Sequence, residues 1–281
     1  MPLLVGQRIN GEGSRRAKRL LLAADYDGIV GLAQEQLDAG ADVIDVCVAL
    51  RGVAGEAERM AAVVRQLTAA LGVPLMIDSH DPRVIARGLE ELPDGRAIIN
   101  SVNLQNGATG VEETARLSLE HGAAIVGLCL DETGMARTVA HKVAVARRLF
   151  EIVVETCGVP AASLYLDPLV FALPARDATW AASAVETLVA LSTLKEELPG
   201  IRTIAGISDV SFGLPPASRA VLNATFLHHC TLAGLDAAIA DPSEMKAYAD
   251  LPTVARELAE AVLFNRAPDA LARFAEAFEI G

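Results

Sequence analysis

The chain has 281 residues, 52% of them hydrophobic but only 4% aromatic, and 36 acidic against 24 basic residues give it a formal net charge of -12. A core of Ala, Val, Leu and Ile suits close helix–sheet packing, and the negative field repels polyanions, which argues against nucleic acid as a partner. The length suits an α/β barrel formed as one domain, here 1–281.

In chain order, the apolar run LLVGQRI (3–9) reads as the first strand, and helical periodicity over 27–39, stopped by Gly40, as the first helix. DVIDVCV (42–48) precedes a helix over 56–71 that stops at Gly72, and PLMID (74–78) precedes one over 82–91 with Pro82 in its first turn. AIIN (97–100) leads to a helix over 111–121, and AAIVGLCL (123–130) to one over 138–157. SLYLD (163–167) is followed by a helix over 178–198, and RTIAGIS (202–208) by one over 218–233. DAAIA (236–240) is followed by a segment over 243–264 that Pro252 interrupts. Short apolar runs between helices are those of buried parallel strands. Eight such β–α units predict a (β/α)8 barrel, or TIM barrel, better than an open doubly wound sheet.

Cys47, Cys129, Cys157 and Cys230 lack C-x-x-C spacing and read as reduced thiols of a cytoplasmic protein. The N-terminal apolar run is too short for a signal peptide, and no apolar stretch is long enough to predict a membrane span.

Chemistry in a parallel barrel sits where the strands end. Here the strand ends carry Gln7, Arg8 and Asn10, then Asp45 and Cys47, then Asp78-Ser79-His80, then Asn100 and Asn103. They continue with Asp131, Asp167, Ser208-Asp209 and Asp241. A turn or helix-cap role accounts for any one of these residues, but not for their concentration at one mouth. Asp accepts from an amidine-like N–H pair, and Asn both donates and accepts, so together they match the edge of a flat heterocycle such as a pterin. Asn10, Asp45, Asn103 and Ser208 join Asp78, Asn100 and Asp167 as candidate pterin contacts.

G-Q-R-I-N (6–10), I-D-V (44–46), M-I-D-S (76–79), I-N-S-x-N (99–103), L-Y-L-D-P (164–168), G-I-S-D-V-S (206–211) and R-x-x-x-N-x-T-F-L (219–227) occur in that order. Together they resemble the pterin-binding methyltransferases. That family includes the methyltetrahydrofolate:corrinoid/iron–sulfur protein methyltransferase and the folate domain of cobalamin-dependent methionine synthase. The resemblance implies that Asp78, Asn100 and Asp167 hold the pterin ring, that Asp209 approaches N5, and that Arg219 faces the folate tail or the partner. It further implies methyltetrahydrofolate or a related methyl-pterin as substrate, a corrinoid (cobalamin) carried by a separate protein as acceptor or donor of the methyl group, and a homodimer. Asp209 departs from the family's usual Asn, Cys47 stands where the family often has Asn, and Gln7 where it often has Glu.

No tightly bound metal is expected. His228-His229 lack a Cys or carboxylate partner at ligand spacing, and no Cys cluster supports a homocysteine-activating zinc. Asp78-Ser79-His80 begins like a corrinoid-binding D-x-H-x-x-G, but Arg83 occupies the glycine position. Two alternatives stay open. One is a dihydropteroate synthase-like enzyme, which would have to hold pyrophosphate where Asp209 and Asp241 stand. The other is a non-catalytic pterin-binding subunit that lost activity through Asp209.

Overall fold

In the computed structural model, which describes residues 1–93, 95–173 and 180–279, eight parallel strands close into a barrel. The order begins β1 (Leu3–Asn10), α1 (Arg15–Leu22), α2 (Tyr26–Asp38), β2 (Val43–Cys47), α3 (Glu56–Leu71), β3 (Leu75–Asp78), α4 (Pro82–Leu89) and β4 (Ala97–Val102). After α5 (Thr109–Glu120) and β5 (Ala124–Leu128), an antiparallel hairpin of β6 (Leu130–Asp131) and β7 (Gly134–Met135) precedes α6 (Val139–Phe150). Then come β8 (Leu164–Asp167), α7 (Ser183–Glu197), β9 (Arg202–Gly206), α8 (Pro216–Leu232) and β10 (Ala237–Ala240), followed by α9 (Thr253–Leu263) and α10 (Ala270–Glu279). The barrel closes where β1 pairs with β10, Val5 opposite Ile239. The expected (β/α)8 architecture is therefore the one found.

Several boundaries differ from the sequence reading. The run 123–130 is not one strand: β5 stops at Leu128, and the chain folds into the hairpin. There Asp131 accepts from the Thr133 amide at 2.9 Å and hydroxyl at 2.7 Å and faces His141 at 3.0 Å, so it caps the hairpin. The run 202–208 ends early at Gly206, because Ile207–Ser211 winds into a 3-10 turn that carries Asp209. The helix over 138–157 is α6 plus a π-helical turn, Glu151–Thr156. Of the helix expected over 178–198, residues 178 and 179 lie outside the described residues, and α7 begins only at Ser183, after the cap residue Ala182. Only the part of 243–264 after Pro252 is α-helical. α1 was not expected at all: its four basic residues mask a stripe of Ala17, Leu20 and Leu21 that is buried.

Side chains of a strand alternate between two faces. One inward set, Val5, Val43, Met76, Ile98, Val126, Tyr165, Ile204 and Ala237, takes one residue from each barrel strand and packs as a dry plug. The outward set, which includes Ile44, Val46, Ile77, Ile99, Ile125 and Leu166, packs against the helices. Two residues beyond the plug, the same alternation brings Asp45, Asp78, Asn100 and Asp167 inward. At the other end, Arg202 donates to the Tyr165 hydroxyl at 2.6 Å.

β1 needs a correction to join this pattern. Gly6 pairs with Ile44 but Ile9 with Val46, so β1 holds one extra residue, a bulge that brings Asn10 level with Cys47. The Arg8 amide, displaced from the ladder, donates instead to Gln36 Oε1 of α2 at 2.8 Å. Gly6 makes room for this, since a Cβ there would lie 2.7 Å from the same oxygen. Replacing Gln36 by Leu strands that amide and is expected to cost about 1–3 kcal/mol in urea unfolding; an unchanged midpoint and slope would contradict the role given to Gln36.

Candidate functional site

The inward polar layer is built strand by strand. β3 and β4 pair Asp78 with Asn100. Asn100 Nδ2 donates to Asp45 Oδ1 on β2 at 3.3 Å. The Cys47 thiol hydrogen-bonds to Asp78. Burial raises the Asp45 carboxyl well above the usual carboxylate range, and the Asp78 charge adds to this against the Asn100 hydrogen bond. Burial also raises Asp78, opposed by the Cys47 hydrogen bond and by His80. The Cys47 thiol is pushed up by burial and by Asp78.

On β8, Asp167 Oδ1 accepts from the Leu169 amide at 2.7 Å. Burial raises its carboxyl to about 7, with the Leu169 hydrogen bond and Lys142 acting against the rise and Asp209 for it. Asp209 projects from the 3-10 turn and folds back over Gly206, where an added Cβ would lie 2.4 Å from Asp209 Oδ2. It is solvent-accessible from the mouth yet walled by the protein, and burial raises its carboxyl to about 6 against the pull of Arg219.

Two cavities open at this mouth. One, of about 440 Å³, lies over β1, β9 and β10 and is lined by Gln7, Arg8, Asn10, Ser208, Asp209, Phe212, Arg219, Asp241 and Glu244. The other, of about 500 Å³, lies over β3, β4 and β5 and includes His80, Ser101, Asn103, Glu113 and Leu128. Asn103 is thus separated from Asn10, Ser208 and Asp209, and its Oδ1 caps the Gln105 amide at 3.0 Å. Asn10 Oδ1 closes its own loop on the amides of Glu12 (3.0 Å) and Gly13 (2.6 Å), so its remaining capacity is mainly its amide donors. The Ser208 hydroxyl is buried without a hydrogen-bond partner among the described residues. Arg8 faces Asp241 at 3.5 Å, and Arg219 faces Glu244 at 3.7 Å.

Chemically, this is a set of acceptors in search of donors. Buried carboxylates with too few N–H partners are held toward protonation. A flat ligand with an N–H pair on one edge would supply the missing donors and let the carboxyls ionise.

His228 and His229 lie elsewhere: His229 pairs with Glu260 at 3.2 Å and His228 stacks on Tyr248 at 3.9 Å between ring centroids. Among the described residues no group of three or more His, Cys, Asp or Glu is placed to hold a metal, and no helix is long and apolar enough to cross a membrane. Sequence reasoning missed Lys142, a buried lysine in α6 whose ammonium reaches the backbone just after Asp167. Its signal was a cation embedded in the apolar segment V-A-H-K-V-A-V, away from any strand end.

The chain is similar to known proteins over most of its length. Residues 6–241 match the family described as pterin binding enzyme. Over 94% of its length the chain is 37% identical to methionine synthase of Mycobacterium tuberculosis (strain ATCC 25618 / H37Rv) and 38% identical to that of Mycobacterium leprae (strain TN). It spans 22% of the length of each. Among solved structures, dihydropteroate synthase from Xanthomonas albilineans in complex with 7,8-dihydropteroate superposes with a TM-score of 0.62 at 18% identity, covering 93% of both chains. The Coxiella burnetii dihydropteroate synthase in complex with pteroic acid gives 0.60 at 15% identity, again covering 93% of both. These structures share the fold, and the resemblance read from the seven motifs is borne out by the family match and the methionine synthases.

Because burial lifts Asp167 above its unfolded value, the folded chain keeps a proton that the unfolded chain has already released. Stability contributed at this site therefore falls as pH rises from about 4 through about 7 and is flat above. Asp167→Asn removes that slope. The variant is expected to match the parent near pH 5 and to melt roughly 5–10 °C above it at pH 8, because the two pH units between 5 and about 7 are worth about 2.7 kcal/mol. Melting curves that stay parallel across this range would refute the assignment of Asp167 as a buried, proton-retaining carboxyl.

Proposed function

The chain belongs to the pterin-binding enzyme family, and from that premise we propose that it transfers the N5-methyl group of methyltetrahydrofolate, or of a related methyl-pterin, to the cob(I)amide of a separate corrinoid protein, or catalyses the reverse. The observation that carries this reading is the inward layer of Asp45, Asp78, Asn100 and Asp167, in which Asp167 faces Asp209 of the cavity that Arg219 also lines.

In this reading Asp78, Asn100 and Asp167 hold the pterin's amino and ring N–H edge, and the apolar plug beneath supports the ring. The bound corrinoid supplies the nucleophile. The chain's own task is at N5: as the N5–CH3 bond breaks, the electron pair left on nitrogen must be met by a proton. Asp209, raised to about 6, can hold that proton near neutral pH, whereas the Asn usual in the family can only hydrogen-bond. Arg219 lines the same cavity, and in this reading it meets the folate tail or the corrinoid partner. Pyrophosphate chemistry is disfavoured, because both guanidinium groups of the cavity already face carboxylates, Asp241 and Glu244.

The test is conversion of cob(I)alamin to methylcobalamin, followed by visible spectroscopy at saturating methyltetrahydrofolate. Asp209→Ala is expected to slow transfer by about 10²–10⁴-fold, the usual worth of a positioned acid. Asp209 is protonated below its raised value, so the parent rate should climb as pH falls through about 6, and Asp209→Asn should flatten that limb. Unchanged transfer in Asp209→Ala would remove Asp209 from the mechanism.

A further inference from the structure

Lys142 of α6 is fully buried, and no carboxylate lies within ion-pair distance of it among the described residues. Its ammonium is held by neutral groups instead. It donates to the carbonyls of Pro168 and, at 2.8 Å, of Leu169, approaches Thr187 Oγ1 at 3.3 Å, and sits 4.9 Å from the centre of the Phe171 ring. Thr187 Oγ1 donates to the same Leu169 carbonyl at 2.9 Å. An ammonium buried without a counter-ion is a liability for folding, so its location calls for a reason.

The reason lies in what those carbonyls belong to. Pro168 and Leu169 directly follow Asp167, and Leu169 is left-handed at φ +63, a conformation that a residue with a Cβ rarely adopts. In that conformation the Leu169 amide turns back onto Asp167 Oδ1. One carboxylate oxygen is thereby fixed, and the other is left for a ligand. Lys142 binds the carbonyls on either side of the turn that does this.

We propose that Lys142 is the positioning residue for Asp167: by holding the carbonyls of Pro168 and Leu169, its ammonium maintains the left-handed turn that aims the carboxylate, and from beneath the mouth it supports the ionised form that accepts the pterin's N–H edge. This rests on the reading of Asp167 as a pterin contact. The groups facing Asp167 are Lys142 of α6, Asp209 of the turn after β9, Cys129 after β5 and Cys230 of α8, while Glu186 of α7 faces Lys142. Of these, Lys142 is the cation.

The experiment compares the parent with Lys142→Met, which is unbranched and one atom shorter and loses the charge, and with Thr187→Val, which keeps the shape and loses the hydroxyl. Tetrahydrofolate binding is measured by calorimetry across pH 5.5–9. The Asp167 carboxyl is titrated in the ligand-free proteins by carbon NMR, assigned with Asp167→Asn. Lys142→Met is expected to weaken tetrahydrofolate binding at pH 7 by about tenfold and to move the Asp167 midpoint up by about one unit. Thr187→Val should do both to a smaller extent, and it carries the test if Lys142→Met does not fold. A purely structural lysine would lower stability without moving the midpoint. If the parent binds tetrahydrofolate and a folded Lys142→Met keeps the parent's affinity and midpoint, the positioning role is overturned and the pterin reading stands. If the parent fails to bind, the pterin reading falls, while the carboxyl shift still decides whether Lys142 governs Asp167.

Discussion

In a closed parallel barrel each strand can send only every second side chain inward, and the interior is too narrow to leave those side chains unsupported. This constraint governs the molecule. Eight inward residues, from Val5 to Ala237, fill the barrel as a dry plug. The next inward step on β2, β3, β4 and β8 is polar, so Asp45, Asp78, Asn100 and Asp167 meet above an apolar floor. A shift of one residue in any of these strands would point its acid or amide into the helix layer and a neighbour such as Ile44, Ile77, Ile99 or Leu166 into the mouth. Register is therefore held where it matters. The β1 bulge, for example, is secured by Gln36, which takes up the displaced Arg8 amide.

The cost of this layer is electrostatic. Burial drives Asp45, Asp78 and Asp167 toward protonation, because too few donors are within reach to stabilise them as anions. The partial remedies are visible: Asn100 donates to Asp45, the Leu169 amide to Asp167 and the Cys47 thiol to Asp78. They leave unmet acceptor capacity facing the mouth. In the proposed function a ligand edge rich in N–H groups would complete the arrangement, and affinity and selectivity would share one origin, relief of an imbalance that folding created. Asp209 belongs to a different part of the mouth, in a turn open to solvent beside Arg219, which suits the proton exchange proposed for it.

Much of this was legible in the sequence, for identifiable reasons. The helix over 56–71 coincides with α3, because Gly55 and Gly72 bracket it in left-handed conformations that break helical periodicity cleanly. The strand-end carboxylates were legible because barrel connectivity alone sends strand ends to one mouth. What escaped were features set by the third dimension. α1 hides its apolar stripe among arginines, and Pro252 begins a helix instead of bending one. Asn103 and Asn10 look alike in sequence, yet they line separate cavities, because β4 and β1 stand apart around the barrel. Lys142 lies on a helix where charge patterning suggests only a solvated face, and only the fold reveals that its ammonium ends on the backbone beside Asp167.

The most direct measurement of the central claim is a crystal structure of the protein soaked with tetrahydrofolate. The account predicts the pterin ring lying on the apolar plug, its amino and ring N–H edge within hydrogen-bond distance of Asp78, Asn100 and Asp167, and its N5 side turned toward Asp209. A ring seated instead in the cavity between His80 and Asn103, with the acid–amide layer untouched, would contradict it.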